Sequence, residues 1–152
     1  MIPLVALDDK DKQIMNLLQK NARISYTHIA NMLGISEATV RYRVKNLQDK
    51  GVITKFTALL DPKKVGFSTN GILMVKIAPE HFEEASKQIS ELPEAYHVFQ
   101  NTGEHDILAV VHAHDLEHLG DLRKRVELIQ GVRDVSLSAT TRLIKIKTSF
   151  DL

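Results

Sequence analysis

Two short helical patterns separated only by Leu33-Gly34-Ile35-Ser36 leave this chain few ways to fold. The first starts at Ser25, a residue suited to accept from free helix N–H groups, and turns Ile29, Ala30 and Leu33 to one side. Gly34 ends it, because glycine tolerates the left-handed turn that closes a helix. Ser36 caps the next helix, which runs to Lys50 before Gly51 stops it. A further helical pattern comes earlier, with Asp8 or Asp9 as cap, Leu7 as a hydrophobic staple, and Ile14, Leu17 and Leu18 inward. Asp9 and Asp11 stand in its first turn, where the helix dipole favours acids. Helices joined by a tight glycine-bearing turn make a helix-turn-helix, whose second helix enters the major groove of DNA.

At about 100° per residue the two sides of that second helix separate. Val40, Val44 and Leu47 form the stripe that must face the other helices, while Ala38, Tyr42 and Lys45 point away, flanked by Thr39, Arg41 and Asn46. Arg41 and Lys45 are the leading candidates to touch DNA, at base edges or phosphates. Thr39, Tyr42 and Asn46 are long or polar enough to reach the groove. Ser36 and Glu37 open the helix, where N–H groups and the positive dipole suit a phosphate. Arg43 lies nearer the core stripe and either braces the fold or reaches sideways to a phosphate. The bland alternative for each is a solvated helix face.

Charge divides along the same line. Residues 1–64 hold 11 Lys and Arg against 6 Asp and Glu, a net of +5; residues 65–152 hold 9 against 13, a net of −4. Chance scatter would also produce such a split, but it suits a chain of which only the first part meets a polyanion. No cysteine is present, so disulfide and thiolate chemistry are excluded. No apolar run reaches the roughly 18 residues of a membrane span. Met1 to Asp11 carries acids where a signal peptide would be basic, so a cytoplasmic protein is expected.

After Gly51 the period changes to two. Val52 to Leu60 is expected to form a hinge strand, with Lys55 grazing the DNA backbone, ending at Asp61-Pro62. From residue 71 the order reads strand, helix, strand, strand, helix, strand. The strands are Gly71 to Ala78, Ala95 to Asn101, Asp106 to Ala113 and a long Val132 to Lys147. The first helix lies between Pro79 and Pro93. The second is capped by Asp115 and turns Leu116, Leu119, Leu122, Val126 and Ile129 inward. Such a duplicated βαβ unit is ferredoxin-like, both helices on one face of the sheet, so the fold class is α+β. The expected division is a head at 1–53, a hinge strand and linker at 54–70, and a second domain at 71–152. Ile72-Leu73-Met74-Val75 and Ile107-Leu108-Ala109-Val110-Val111 are apolar on both sides, although helices cover one side only. An uncovered apolar face implies a homodimer with the two sheets packed together.

The run Leu7 through Ile14, Asn21-Ala22-Arg23, Ile29-Ala30, Leu33-Gly34-Ile35-Ser36, Val40-Arg41-Tyr42-Arg43-Val44, Leu47 and Lys50-Gly51-Val52-Ile53 resembles the Lrp/AsnC (feast/famine) transcriptional regulators. The likeness continues through Asp61-Pro62, Gly66 and Thr102-Gly103-Glu104-His105-Asp106 to the final strand. It implies a winged helix-turn-helix head bound to double-stranded DNA, a ferredoxin-like regulatory domain, and dimers that assemble further, commonly to octamers. It also implies a small effector, usually a free amino acid, held between regulatory domains of neighbouring dimers.

Carried onto this chain, one wall of the effector site is Asn101, Thr102, Gly103, Glu104, His105 and Asp106. The other comes from the final strand around Ser138, Ala139, Thr140, Thr141 and Arg142. Many relatives have Tyr where His105 stands. Asp106 suits the ammonium of an amino acid, and the Gly103 backbone with the Thr140 or Thr141 hydroxyl suits its carboxylate. The polar surroundings fit a glutamine-like side chain better than leucine. Read as residues alone, 101–106 has a bland alternative, a hairpin loop of turn-forming residues.

No cofactor or metal is expected. His112, His114 and His118 cluster, but at a strand end and helix start where exposed polar residues are usual. Two other readings stay open. One is a DNA-binding regulator that responds to no ligand. The other is an enzyme on the same architecture, as siroheme decarboxylases are, for which His97, His105 and Arg142 would have to converge.

Overall fold

A computed structural model describes residues 5–152; Met1–Leu4, the first residues of the segment read above as lacking a leader, lie outside the described residues. The chain forms two compact units. One holds the residues up to Leu59 together with Lys145–Leu152, the other Leu60–Ile144.

The first unit is a bundle of α1 (Asp9–Lys20), α2 (Tyr26–Leu33) and α3 (Glu37–Asp49). Each start is set by its cap. Asp8 and Asp11 form a reciprocal capping box on α1, Ser25 accepts from His28 N, and Ser36 accepts from Thr39 N. Gly34 closes α2 at φ 64°, and Ile35 N then bonds back to Ala30 O at 3.1 Å. Ile14, Leu18, Ile29, Ala30, Val40 and Val44 meet in a single core. The last eight residues return to α1. Gln19 both donates to Phe150 O (3.1 Å) and accepts from Phe150 N (2.7 Å), as a neighbouring strand would. Lys145–Leu152 thus packs against α1 within the first unit.

The second unit is a four-stranded antiparallel sheet in the order β2-β3-β1-β4, with β1 Thr69–Ile77, β2 Ala95–Gln100, β3 Ile107–Ala113 and β4 Val132–Ala139. α4 (Phe82–Ser90) and α5 (Leu116–Glu127) cover one face. Leu73, Val75, Ile107, Ala109, Val111 and Val135 pack there against Ala85, Ile89, Leu122 and Val126. This is the expected ferredoxin-like arrangement. The opposite face carries Ile72, Met74, Leu108 and Val110, all half-buried, with Phe99 exposed beside them.

Three expectations are corrected. Residues 54–60 form no strand: the period-two run is β-prone, but a strand needs a ladder partner, and Phe56, Leu59 and Leu60 stay exposed. The last strand stops at Ala139 instead of Lys147, because β1, its ladder partner, begins at Thr69 and pairs Gly71 with Ala139. Leu116 is 67% exposed, since it is the first residue of α5 and overhangs the core that Leu119 and Leu122 fill.

Candidate nucleic-acid interface and effector site

Val40, Val44 and Leu47 are buried, and this fixes which side of α3 looks outward. Tyr42 is 71% exposed, the Arg41 side chain 66%, and Lys45 and Ala38 are exposed as well. Thr39 and Asn46 are half-buried at the margins. The outward side is thus a cationic and aromatic ridge along one helix.

Three of the residues assigned to DNA also make side-chain bonds within the head. Arg43 Nη1 donates to Asp8 Oδ2 at 2.7 Å and to Asp11 Oδ1 at 2.8 Å, and its side chain is 26% exposed. Those two carboxylates raise its affinity for the proton, Asp11 most, so Arg43 braces α3 against α1. The Ser36 hydroxyl caps the helix and pairs with Thr39 Oγ1 at 2.8 Å. Glu37 Oε2 accepts from Thr27 Oγ1 at 2.7 Å and its Oε1 from Arg41 Nη2 at 2.8 Å, and these two bonds hold its carboxyl below the usual range. Tyr26 lies under the Arg41 guanidinium, 5.4 Å from ring centroid to Cζ. Tyr26 and Thr27 were not foreseen, because their link to α3 lies in no local pattern.

The segment assigned to an effector is a closed loop between β2 and β3. Asn101 N donates to Asp106 O at 2.8 Å, while Thr102, Gly103 and Glu104 are exposed. Nothing lies within 4 Å of where a Gly103 Cβ would sit, so space remains there for another molecule. Asp106 accepts from Ile77 N at 2.7 Å, which occupies one oxygen of the carboxylate assigned to the ammonium. His105 Nε2 lies 3.4 Å from Asp134 Oδ2, and Asp134 lines a shallow dip of about 220 Å³.

The two assigned walls do not meet within one chain. The loop sits at the Ile77 end of β1, whereas Ser138 pairs with Ile72 and Thr140 N donates to Asn70 O at 2.7 Å, at the opposite end. From Asn70 to Ile77 the strand rises roughly 23 Å. Thr141 lies beyond the strand and is exposed.

The histidines are individually engaged. His112 Nδ1 lies 2.6 Å from Asn70 Oδ1, His114 Nδ1 lies 2.8 Å from Gly66 O, and His118 Nε2 lies 2.8 Å from Glu94 Oε1, an oxygen it shares with Arg125. His97 is on β2, His105 faces Asp134 on β4, and Arg142 lies past the sheet, so the three groups an enzyme would need do not converge. Three strand spacings, roughly 14 Å, separate β2 from β4.

Residues 7–54 match the model of a winged helix-turn-helix DNA-binding domain, and residues 70–150 that of the Lrp/AsnC ligand binding domain. The chain is 39% identical over 130 residues to the HTH-type transcriptional regulator LrpA of Pyrococcus abyssi, covering 85% of this chain and 92% of that one. It is 39% identical over 140 residues to the HTH-type transcriptional regulator Ptr1 of Methanocaldococcus jannaschii, covering 91% and 95%. The fold superposes on E. coli AsnC with a TM-score of 0.90 at 20% identity, over 95% of this chain and 99% of that one. A transcriptional regulator of Neisseria meningitidis in complex with L-Met superposes with a TM-score of 0.88 at 27% identity, over 95% and 96%.

Proposed function

Since the chain belongs to the Lrp/AsnC family of DNA-binding transcriptional regulators, we propose that it grips a two-fold operator through the outward side of α3 and that a free amino acid, bound between copies, changes that grip. The observation that carries the first part is the exposed ridge of Arg41, Tyr42 and Lys45 above a buried Val40-Val44-Leu47 stripe. A dimer follows from the sheet. Ile72, Met74, Leu108 and Val110 leave a face that helices do not cover, and two such faces together remove it from water at roughly 25 cal/mol per Å². Two recognition helices then suit a palindromic site.

The amino-acid reading is supported by the loop 101–106, open around Gly103, and by the relative whose structure is a complex with L-Met. Because Ser138, Thr140 and Thr141 lie at the far end of the sheet from Asp106, a pocket using both sets takes them from different copies. An effector there would couple ligand to assembly, an octamer among the possible products, and assembly to DNA. A polar, glutamine-like amino acid fits the loop's Asn101, Glu104 and His105.

Two measurements test this. Arg41→Ala with Lys45→Ala should abolish operator binding and flatten the salt dependence of what binding remains, leaving the oligomer intact; retained binding places the interface elsewhere. Calorimetric titration with the twenty amino acids should give saturable heat for at least one. No heat from any would leave a regulator without an effector.

A further inference from the structure

An acid facing DNA is an anomaly, since it repels the phosphates that a basic head attracts. Glu37 stands in the first turn of the recognition helix with its side chain 44% exposed. Both of its oxygens are occupied, one by Arg41 and the other by Thr27 of α2. The Arg41 guanidinium also lies over the Tyr26 ring. Arg41 is thus gripped from two helices, whereas Arg43 is turned inward to Asp8 and Asp11. From these contacts we infer that Glu37 is a specificity-determining residue: with Thr27 and Tyr26 it fixes the angle of Arg41 so that the guanidinium reads one guanine in each half-site. The inference rests on the reading of α3 as the DNA-entering helix.

An exposed i,i+4 ion pair adds little to stability, so stability does not explain this arrangement. Its effect is on direction and on charge. A guanidinium has five N–H donors, and one Nη2 hydrogen is committed to Glu37, which leaves a defined fork for the O6 and N7 acceptors of a guanine. Immobilising a long side chain beforehand also lowers the entropic cost of making that contact. The Glu37–Arg41 pair is neutral as a whole, so it adds almost nothing to the general pull on phosphates. A cation held this way is suited to discriminate between bases. Lys45, on the same outward face, is suited to supply non-specific attraction.

The test starts by selecting the preferred site of the full-length protein from a random duplex pool. Anisotropy titrations then compare that site, versions with each guanine replaced, and a scrambled duplex, over a range of salt. Glu37→Ala should bind scrambled DNA more tightly, since it removes a repelling charge and frees Arg41 for phosphate. Its salt slope should steepen by about one unit, and its preference for the selected site should fall roughly tenfold or more, with one guanine per half-site no longer mattering. Thr27→Val should shift the preference the same way but less, because Glu37 then loses one of its two anchors. Unchanged circular dichroism would show that both variants fold. A selected site that Glu37→Ala discriminates as well as the wild type overturns the inference while sparing the DNA-binding reading. Failure to select any site overturns both.

Discussion

Arg43 Nη1 lies 2.8 Å from Asp11 Oδ1, which fastens the recognition helix to the first turn of a helix 32 residues earlier. Asp11 is also half of the capping box on α1, so one carboxylate sets both a helix start and the attitude of α3. Arg43→Met keeps the apolar stem but leaves Asp11 without its cation. The head should lose about 1 kcal/mol and melt a few degrees earlier. DNA affinity should fall only moderately, with an unchanged salt slope, in contrast to Lys45→Ala. A salt slope that drops by one unit would return Arg43 to the phosphates.

Much of the head was legible because its signals are local. Ser25, Gly34 and Ser36 each act within three or four residues, and the Val40-Val44-Leu47 stripe determines the rest of α3. The Arg43–Asp11 and Glu37–Thr27 links were not legible, because side chains far apart in sequence leave no periodic trace. Residues 54–60 misled for a related reason: alternation reports β-propensity, while a strand also needs a partner edge. The loop 101–106 was read correctly as a turn before β3. That its supposed second wall lies at the other end of β1 depends on strand register, which alternation alone does not reveal.

Asp106 has a structural duty that any test of its ligand role must respect. Its Oδ2 accepts from Ile77 N in a half-buried position at the end of β1. Asp106→Ala strands that N–H and should cost about 1–3 kcal/mol in the second unit, measured by denaturant titration. Asp106→Asn retains an acceptor and loses only the charge, so it should fold nearly as stably while weakening any amino-acid response. If the Ala and Asn variants are equally stable, the Ile77 bond contributes nothing.

Val110 pairs with Ile72 of β1 on one side and His97 of β2 on the other, at the middle of the uncovered sheet face. A carboxylate there remains hydrated in a monomer but is buried when two sheets meet. Val110→Glu should therefore sediment as a monomer with unchanged circular dichroism, and should bind a palindromic duplex no better than a half-site. A dimer that survives the substitution uses another surface.

Gly131 joins α5 to β4 at φ 89°, and a Cβ placed on it would fall 2.2 Å from His81 Cβ. Its carbonyl also accepts from Ala78 N at 2.8 Å, so the backbone has little freedom to withdraw. Gly131→Ala combines left-handed strain with a clash and should destabilise the second unit by about 2–4 kcal/mol in thermal melts. Gly103→Ala meets no atom and should leave the melt unchanged, which makes it the better probe of ligand access.

The uncovered face also carries a pH dependence. His112 stands on it with Nδ1 2.6 Å from Asn70 Oδ1, and the Tyr96 ring lies edge-on at 4.9 Å. Burial, and to a lesser degree the charge of His97, lower its affinity for the proton. A histidine whose folded value lies below its unfolded value of about 6.5 favours the fold while neutral. That contribution is complete above about pH 6.5 and is lost as pH falls through the folded value. A second sheet laid over the face would bury the ring further and strengthen the effect, so acidification from pH 7.5 to 5.5 should loosen the dimer. Glu94 works in another window: burial raises its value, but His118 and Arg125 outweigh this and hold it below its ordinary 4.5. Its contribution therefore begins to fail only as pH drops below about 4.5, lower than the pH of about 6.5 at which the His112 contribution starts to be lost. His112→Gln keeps an amide for Asn70 and removes the titrating ring, so sedimentation of this variant should lose most of the change between pH 7.5 and 5.5. If the variant dissociates on acidification as the wild type does, the pH dependence of the dimer does not come from His112.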